Sequence, residues 1–326
     1  MADTPILSNP LKEMMKAGRV ALGMNVRLAR SGDIARIAKT TGHDFIFIDG
    51  QHAIFTLETI AHIAHTALGC GITPLARVKS VDDQDVQVLL DNGVMGIVYP
   101  DVNTAAEARR AVARAKFPPI GRRSAAGAYP MFDYRATPAA QTVSALNEST
   151  LVVCMIETPE GVHNVEEIAK VDGVDVIHIG SNDLLTAMGK PGQFGDPEGA
   201  KAIDRVISVA VANGKIAGMG GDRYLPRQVE YIKKGARFIT TNSEIAFIMA
   251  EATCAQVVRR EVRAAGRRGA GAPPAEARLS IEIAVIAYFS PIARRSSVVT
   301  RVASAMMNAI SLLVVMKRAP FLMYST

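Results

Sequence analysis

Residues 151–180 read LVVCMIETPEGVHNVEEIAKVDGVDVIHIG. Two near-continuously apolar runs, LVVCMIE (151–157) and VDVIHIG (174–180), flank an amphipathic stretch over 161–170. A strand apolar at every position is buried on both faces, the mark of a parallel sheet covered by helices. The segment therefore predicts strand, helix and parallel strand.

The same unit recurs in both directions. Toward the amino terminus the apolar runs are VALGMNV (20–26), DFIFID (44–49), TPLARV (73–78) and MGIVYP (95–100); toward the carboxyl terminus they are IAGMG (216–220) and ARFITT (236–241). Amphipathic stretches predict helices at about 31–41, 56–69, 82–92, 103–116, 161–170, 198–213, 222–234 and 242–262. Ser31-Gly-Asp, Asp82-Asp83 and Asn103-Thr104 offer N-caps, and Gly214 and Gly235 mark helix ends. Eight strand–helix pairs in about 250 residues are the count of a closed (β/α)8 TIM barrel. A doubly wound open sheet is the structural alternative, but no Gly-x-Gly-x-x-Gly follows the first strand. One connection is long: Phe117 to Thr150 carries turn residues and aromatics, then a short helical stretch over 138–147. Loops of that length are commonly functional or disordered, and a cover over the site is one of the two readings.

The character changes after Arg260. RAAGRRGAGAPPAEAR (263–278) reads as a linker, followed by IEIAVIAY (281–288) and VASAMMNAISLLVVM (302–316). The expected organisation is a barrel over 1–262, a linker over 263–280 and an apolar, basic C-terminal extension over 281–326, to which no role is assigned. The chain carries a net charge of +6, but nine of its 37 Lys and Arg and only two of its 31 Asp and Glu follow Glu261. The first 261 residues are thus near neutral, and the basic tail lacks interleaved aromatics, which argues against nucleic-acid binding. The longest apolar run of the tail falls short of the ~20 residues of a membrane-spanning helix, and it contains Ser and Asn. A membrane partner is not expected. Three scattered cysteines form neither a disulfide framework nor a CxxC metal site, and MADTPILSNP has no basic-then-apolar leader, so a cytoplasmic protein is expected.

In a barrel of this kind the active site lies at the carboxyl ends of the strands. The second strand ends Asp49-Gly-Gln-His52, the third at Arg77, the fifth at Glu157 and the sixth at Gly180-Ser-Asn-Asp183. Ionisable groups at four strand ends on one rim are hard to explain as packing. Glu157 and Asp183 are the best metal pair, because neighbouring strands lie roughly 5 Å apart. Without clustered Cys or His, oxygen ligation favours Mg²⁺ or Mn²⁺ over structural zinc. The alternative is that each carboxylate caps the next helix or meets a surface Lys. Arg77 on an apolar strand needs an anion, either a structural acid such as Asp49 or a substrate oxyanion. His52 has the chemistry of a base near neutral pH, although a lone His after a strand is more often merely hydrogen-bonded. Gly180-Ser181 before a helix could present amides to a carboxylate. His178, inside the sixth strand, reads as a satisfied core group. No Lys lies within a strand, which disfavours Schiff-base chemistry.

At these residues the sequence resembles the HpcH/HpaI aldolase family of metal-dependent 2-oxo acid aldolases, over roughly residues 10–260. GMNVRLARSGDIARIAKTTGHDFIFIDGQHA looks like its opening, ending in an Asp-x-x-His box; TPLARV and LLDNGVMGIVYPDVNTAAEA, then FPPIGRR and IETPEGVHNVEEIAKVDGVDVIHIGSNDLLTAMGKPG, match later blocks in order. The resemblance implies that Glu157 and Asp183 bind a divalent cation, Mg²⁺ first and Mn²⁺ or Co²⁺ as alternatives. It implies that Arg77 stabilises a pyruvate enolate and that Gly180 and Ser181 receive the carboxylate. His52, paired with Asp91 of this or a neighbouring subunit, would move protons, and Asp49 would support them. The implied activity is class II aldol cleavage or formation between pyruvate enolate and an aldehyde, by a homo-oligomer, often a hexamer. The same enolate could instead serve decarboxylation or condensation of oxaloacetate, and a non-catalytic barrel with an associating tail is the rival outside enzymology. Two positions depart from the family pattern: Gln51 replaces a Glu, and Met155 replaces a polar residue.

Overall fold

The computed structural model describes residues 7–253 and 256. Residues 7–247 of these belong to one compact unit. The expected linker at 263–280 and extension at 281–326 lie outside the described residues.

Eight parallel strands close into a barrel in sequence order. They are β1 (Ala21–Val26), β2 (Phe45–Asp49), β3 (Thr73–Arg77), β4 (Gly96–Tyr99), β5 (Leu151–Ile156), β6 (Val176–Gly180), β7 (Ile216–Gly220) and β8 (Ala236–Ser243). Closure leaves no exposed sheet edge, and it separates two sets of side chains by the strand period of two. The outward set, including Ile46, Ile48, Ile97, Cys154, Ile177 and Ile179, packs under the helices. The inward set, including Phe45, Phe47, Leu75, Val98, Val153, Met155, Val176 and Phe238, fills the barrel.

Helices α2 (Asp33–Thr40), α3 (Leu57–Cys70), α4 (Val86–Asp91), α5 (Ala105–Ala115), α10 (Pro197–Ala212) and α11 (Leu225–Lys233) follow the expected segments. Two further predicted helices differ in detail: the 138–147 stretch is α6 (Ala139–Ser149), and the 161–170 stretch divides into α7 (Pro159–His163) and α8 (Val165–Ala169). Asn164 stands between them and donates to the Asn103 carbonyl at 2.8 Å. Thr104 caps α5 through a reciprocal box with Glu107. Gly214 and Gly235 hold φ of 68° and 117°, as chain reversals after α10 and α11 require. The predicted Asp82-Asp83 cap does not form: Asp83 accepts from the amides of Lys79 and Asp85, both at 2.9 Å, and α4 starts only at Val86. The expected 242–262 helix begins at residue 244 and is described to 253.

Two helices were not anticipated. Helix α9 (Ser181–Ala187) follows β6 directly. Helix α1 (Pro10–Lys16) precedes the barrel, and its Leu11 and Met15 pack among the inward residues Ala21, Phe45, Leu151 and Val176. Those residues lie at the starts of their strands, so α1 plugs the amino-terminal end. Among the described residues no helix is long and apolar enough to cross a membrane.

The 117–150 connection does not cover the carboxyl-terminal mouth, which sets aside the reading of it as a cover. It joins the end of α5 to the start of β5, and both lie at the amino-terminal end. Its Phe117, Tyr129, Phe132 and Leu146 form a separate apolar cluster, and none of its residues lines the cavity described next.

Candidate active site

The carboxyl-terminal mouth holds a cavity of about 320 Å³. Seven of the eight residues singled out from the sequence line it: Asp49, His52, Arg77, Glu157, Gly180, Ser181 and Asp183. The eighth, Asp91, sits at the end of α4, where it pairs with Arg123 at 2.6 Å and does not reach the cavity of its own chain.

Asp49 organises one side. Its Oδ1 and Oδ2 accept from Arg77 Nε at 3.0 Å and Nη2 at 2.7 Å. The amides of Gln51 and His52 donate to Oδ1 at 3.2 and 3.1 Å, and Arg27 Nε stands 3.3 Å from Oδ2. Burial alone would push this carboxyl up, but the Arg77 hydrogen bonds and charge outweigh it and hold the pKa below the usual carboxylate value. The structural partner considered for Arg77 is therefore real. It commits Nε and one N–H of Nη2, leaving Nη1 and the second N–H of Nη2 outside that pair. The same carboxylate fixes the 49–52 turn that carries His52.

Glu157 organises the other side. It is 2% exposed, its Oε2 accepts from the Asp101 amide at 3.1 Å, and its Oε1 is buried without a partner. Burial, and secondarily the Asp101 and Asp183 charges, raise its pKa to about 7. Gly180 makes room for it, since a Cβ there would fall 2.2 Å from Oε1. Neither helix-capping alternative fits: Thr158 caps α7 in place of Glu157, and Asp183 lies inside the first turn of α9. The Ser181 hydroxyl donates to the Gly220 carbonyl at 2.6 Å and accepts from the Asp222 amide at 3.0 Å. It ties β6 to β7, so only backbone groups of Gly180-Ser181 are left for a ligand.

Sequence reading missed Asn25, Arg27, His178, Arg223 and Thr240, all of which line the cavity. Counting back by two from Gly180 would have placed His178 on the inward face, whereas Asn25 is one residue before the end of β1, out of step with such a count. His178 is not a satisfied core group, because its Nδ1 is buried and unpartnered. No Lys lines the cavity. Lys116, whose pKa burial lowers to about 8, donates to the Asn147 and Thr150 carbonyls at the opposite end of the barrel.

A barrel whose carboxyl rim gathers two buried carboxylates, an exposed one, arginines and histidines around one cavity is a barrel enzyme with an anion-handling, cation-compatible site. Residues 24–248 match the family model described as HpcH/HpaI aldolase/citrate lyase. The chain is 39% identical over 207 residues to the 4-hydroxy-4-methyl-2-oxoglutarate aldolase of Chaetomium globosum, covering 63% of this chain and 77% of that one. It is 31% identical over 242 residues to the hydroxypyruvate/pyruvate aldolase of Cupriavidus necator, covering 73% and 87%. The crystal structure of an HpcH/HpaI aldolase from Desulfitobacterium hafniense superposes with a TM-score of 0.72 at 28% identity, over 78% of this chain and 96% of that one. The chain belongs to the HpcH/HpaI aldolase/citrate lyase family, and it is an aldolase, a carbon–carbon lyase.

Proposed function

We propose that the protein makes or cleaves the bond between pyruvate enolate and an aldehyde, with a divalent cation, and that 4-hydroxy-2-oxo acids are the substrates cleaved. The observation that carries this reading is the unpartnered, buried Oε1 of Glu157 on the same cavity as Asp183 and Arg77. An orphaned carboxylate oxygen in a site of this polarity calls for a cation. Among the described residues no group of three or more His, Cys, Asp or Glu could hold a metal. Glu157 and Asp183 would therefore be the two protein ligands, with the remaining positions left to water and substrate, as suits Mg²⁺ or, alternatively, Mn²⁺ or Co²⁺.

The bound cation would supply Lewis acidity toward the oxo group of the substrate. The backbone of Gly180-Ser181 holds the substrate carboxylate. His52 takes the proton of the 4-hydroxyl, the C3–C4 bond breaks, and the aldehyde leaves. Arg77 donates through Nη1 to the enolate oxygen until His52 returns to C3 the proton it took. Asp49 is a positioning residue, since it holds both Arg77 and the turn of His52. Asp91 would act on His52 from a neighbouring subunit of a homo-oligomer, a hexamer in our reading. Its distance from its own cavity and the exposed Ile245 (37%) and Phe247 (40%) on the last described helix support that assembly. A cytoplasmic location accords with the free Cys70 and Cys154.

The test is pyruvate release from 4-hydroxy-2-oxo acids, run across a panel of aldehyde-derived substrates with Mg²⁺, Mn²⁺ or Co²⁺. Glu157→Ala, or EDTA, should abolish it. Activity that survives both, or an adduct trapped by borohydride in the presence of pyruvate, overturns the reading.

A further inference from the structure

His178 has no part in the chemistry just described, yet it is built into the same cavity. It stands on the inward face of β6, two residues before Gly180, and is 2% exposed. Strand β7 is shaped around its ring: a Cβ on Gly218 would fall 2.6 Å from Nδ1, and one on Gly220 would fall 2.9 Å from Nε2. Phe238 meets the ring edge-on at 5.2 Å between centroids, and Phe47 lies at 6.3 Å. Gly220 is nearer the carboxyl ends of the strands than Gly218. The Nε2 edge therefore faces the mouth, and the Nδ1 edge faces the apolar floor.

This orientation fixes the tautomer. Burial, then the neighbouring Arg77 charge, push the pKa down to about 3, so the ring is neutral and carries one proton. Nδ1 is buried without a partner. A proton there would be an unpaired donor among apolar groups, whereas on Nε2 it points into a polar cavity. The register partner of His178 on β5 is Met155, whose thioether donates nothing. His178 is thus the polar side chain at the floor between β5 and β7.

We propose that His178 is a substrate-binding residue whose Nε2–H donates a hydrogen bond to an oxygen of the bound 2-oxo acid. This rests on the aldolase reading above. The assay is magnesium-dependent exchange of the pyruvate methyl protons with D2O, which needs no aldehyde, compared for wild type, His178→Phe and His178→Gln. The Phe variant keeps the ring shape and removes the donor, so KM for pyruvate should rise about tenfold. Its maximal exchange rate should stay within about threefold and its Tm should hold, while Gln, which restores a donor, should recover most of the KM loss. If the Phe variant does not fold, His178→Met replaces it as the donor-free member of the pair. An unchanged KM in the donor-free variant, or a Gln variant no better than it, overturns the His178 proposal and leaves the aldolase reading standing. Absence of exchange in the wild type overturns both.

Discussion

The two ends of the barrel are built from the same strands and treat polar groups in opposite ways. At the amino-terminal end, Lys12 meets Asp175 at 2.8 Å, Asp175 also accepts from the Val152 amide at 2.9 Å, and Asn9 donates to the Ser149 carbonyl at 2.7 Å. Lys116 completes that web through two carbonyls. At the carboxyl-terminal end, Glu157 Oε1 and Asn25 Oδ1 are buried and unpartnered. One rim is bonded across itself and plugged by α1, with Ser149 Oγ left unpartnered; the other leaves unpartnered oxygens on residues that line the cavity. A barrel stabilises itself at one end and is free to carry chemistry at the other.

The largest break in this contrast should come from Arg77→Ala. Loss of a donor aimed at developing negative charge costs on the order of 10²–10³ in kcat. Asp49, 2% exposed in the intact protein, would also lose two of its hydrogen bonds. We expect a stability loss of about 3 kcal/mol, the low end for breaking a buried pair, because Arg27 remains 3.3 Å away. Steady-state kinetics and urea unfolding measure the two effects. A variant that keeps activity within tenfold would remove Arg77 from the substrate.

How much of this was legible beforehand follows from the same contrast. The strands could be read because parallel strands covered on both faces are apolar throughout or nearly so, as in Val152–Ile156 and Phe45–Ile48. Asp49, Arg77, Glu157 and Asp183 could be read because charged residues at the ends of such runs have few packing explanations. Helix α1 was illegible: PLKEMMK is short, and its role comes from tertiary packing of Leu11 and Met15 against the barrel floor. The inward face of His178 could be counted from Gly180, but its slot was illegible for a related reason. Its slot is made by Gly218 and Gly220 on another strand, and no spacing within β6 reports that. The placement of the 117–150 connection was recoverable from topology, because any helix-to-strand link in this fold lies at the amino-terminal end.

The next effect is a pH dependence. In the metal-free protein Glu157 has a pKa raised from 4.5 to about 7. The native state therefore holds a proton that the unfolded chain releases between those values. Stability attributable to this group is present below about pH 4.5 and is lost as pH rises through 7, a change of about 3 kcal/mol by linkage. In EDTA, wild type should lose stability across this window more steeply than Glu157→Gln, whose amide does not titrate. Mg²⁺ should restore wild type at pH 8 and leave the Gln variant behind. Parallel profiles for the two proteins would show that the buried carboxyl is not the source.

A smaller effect concerns α5, which runs between the two rims. Thr104 Oγ1 accepts from the Glu107 amide at 3.2 Å, and the Thr104 amide donates to the Glu107 carboxylate at 2.9 Å. Thr104→Ala should cost about 1 kcal/mol in unfolding free energy. The residue lies off the cavity, so kcat/KM should be unchanged.

The smallest expected effect lies at the closed rim. Lys12→Met removes the ion pair with Asp175 and the hydrogen bond to the Glu148 carbonyl at 2.6 Å. Asp175 keeps its bond from the Val152 amide and stays 3.9 Å from Lys116, so its charge is not stranded. Partly solvated pairs of this kind contribute about 1 kcal/mol or less. The methionine retains the apolar reach of the lysine stem on α1. We therefore expect a loss of about 1 kcal/mol or less in urea unfolding and a kcat/KM within twofold of wild type. A tenfold loss of activity from this site would mean that the amino-terminal end communicates with the cavity, and the division of labour between the two rims would fail at its simplest point.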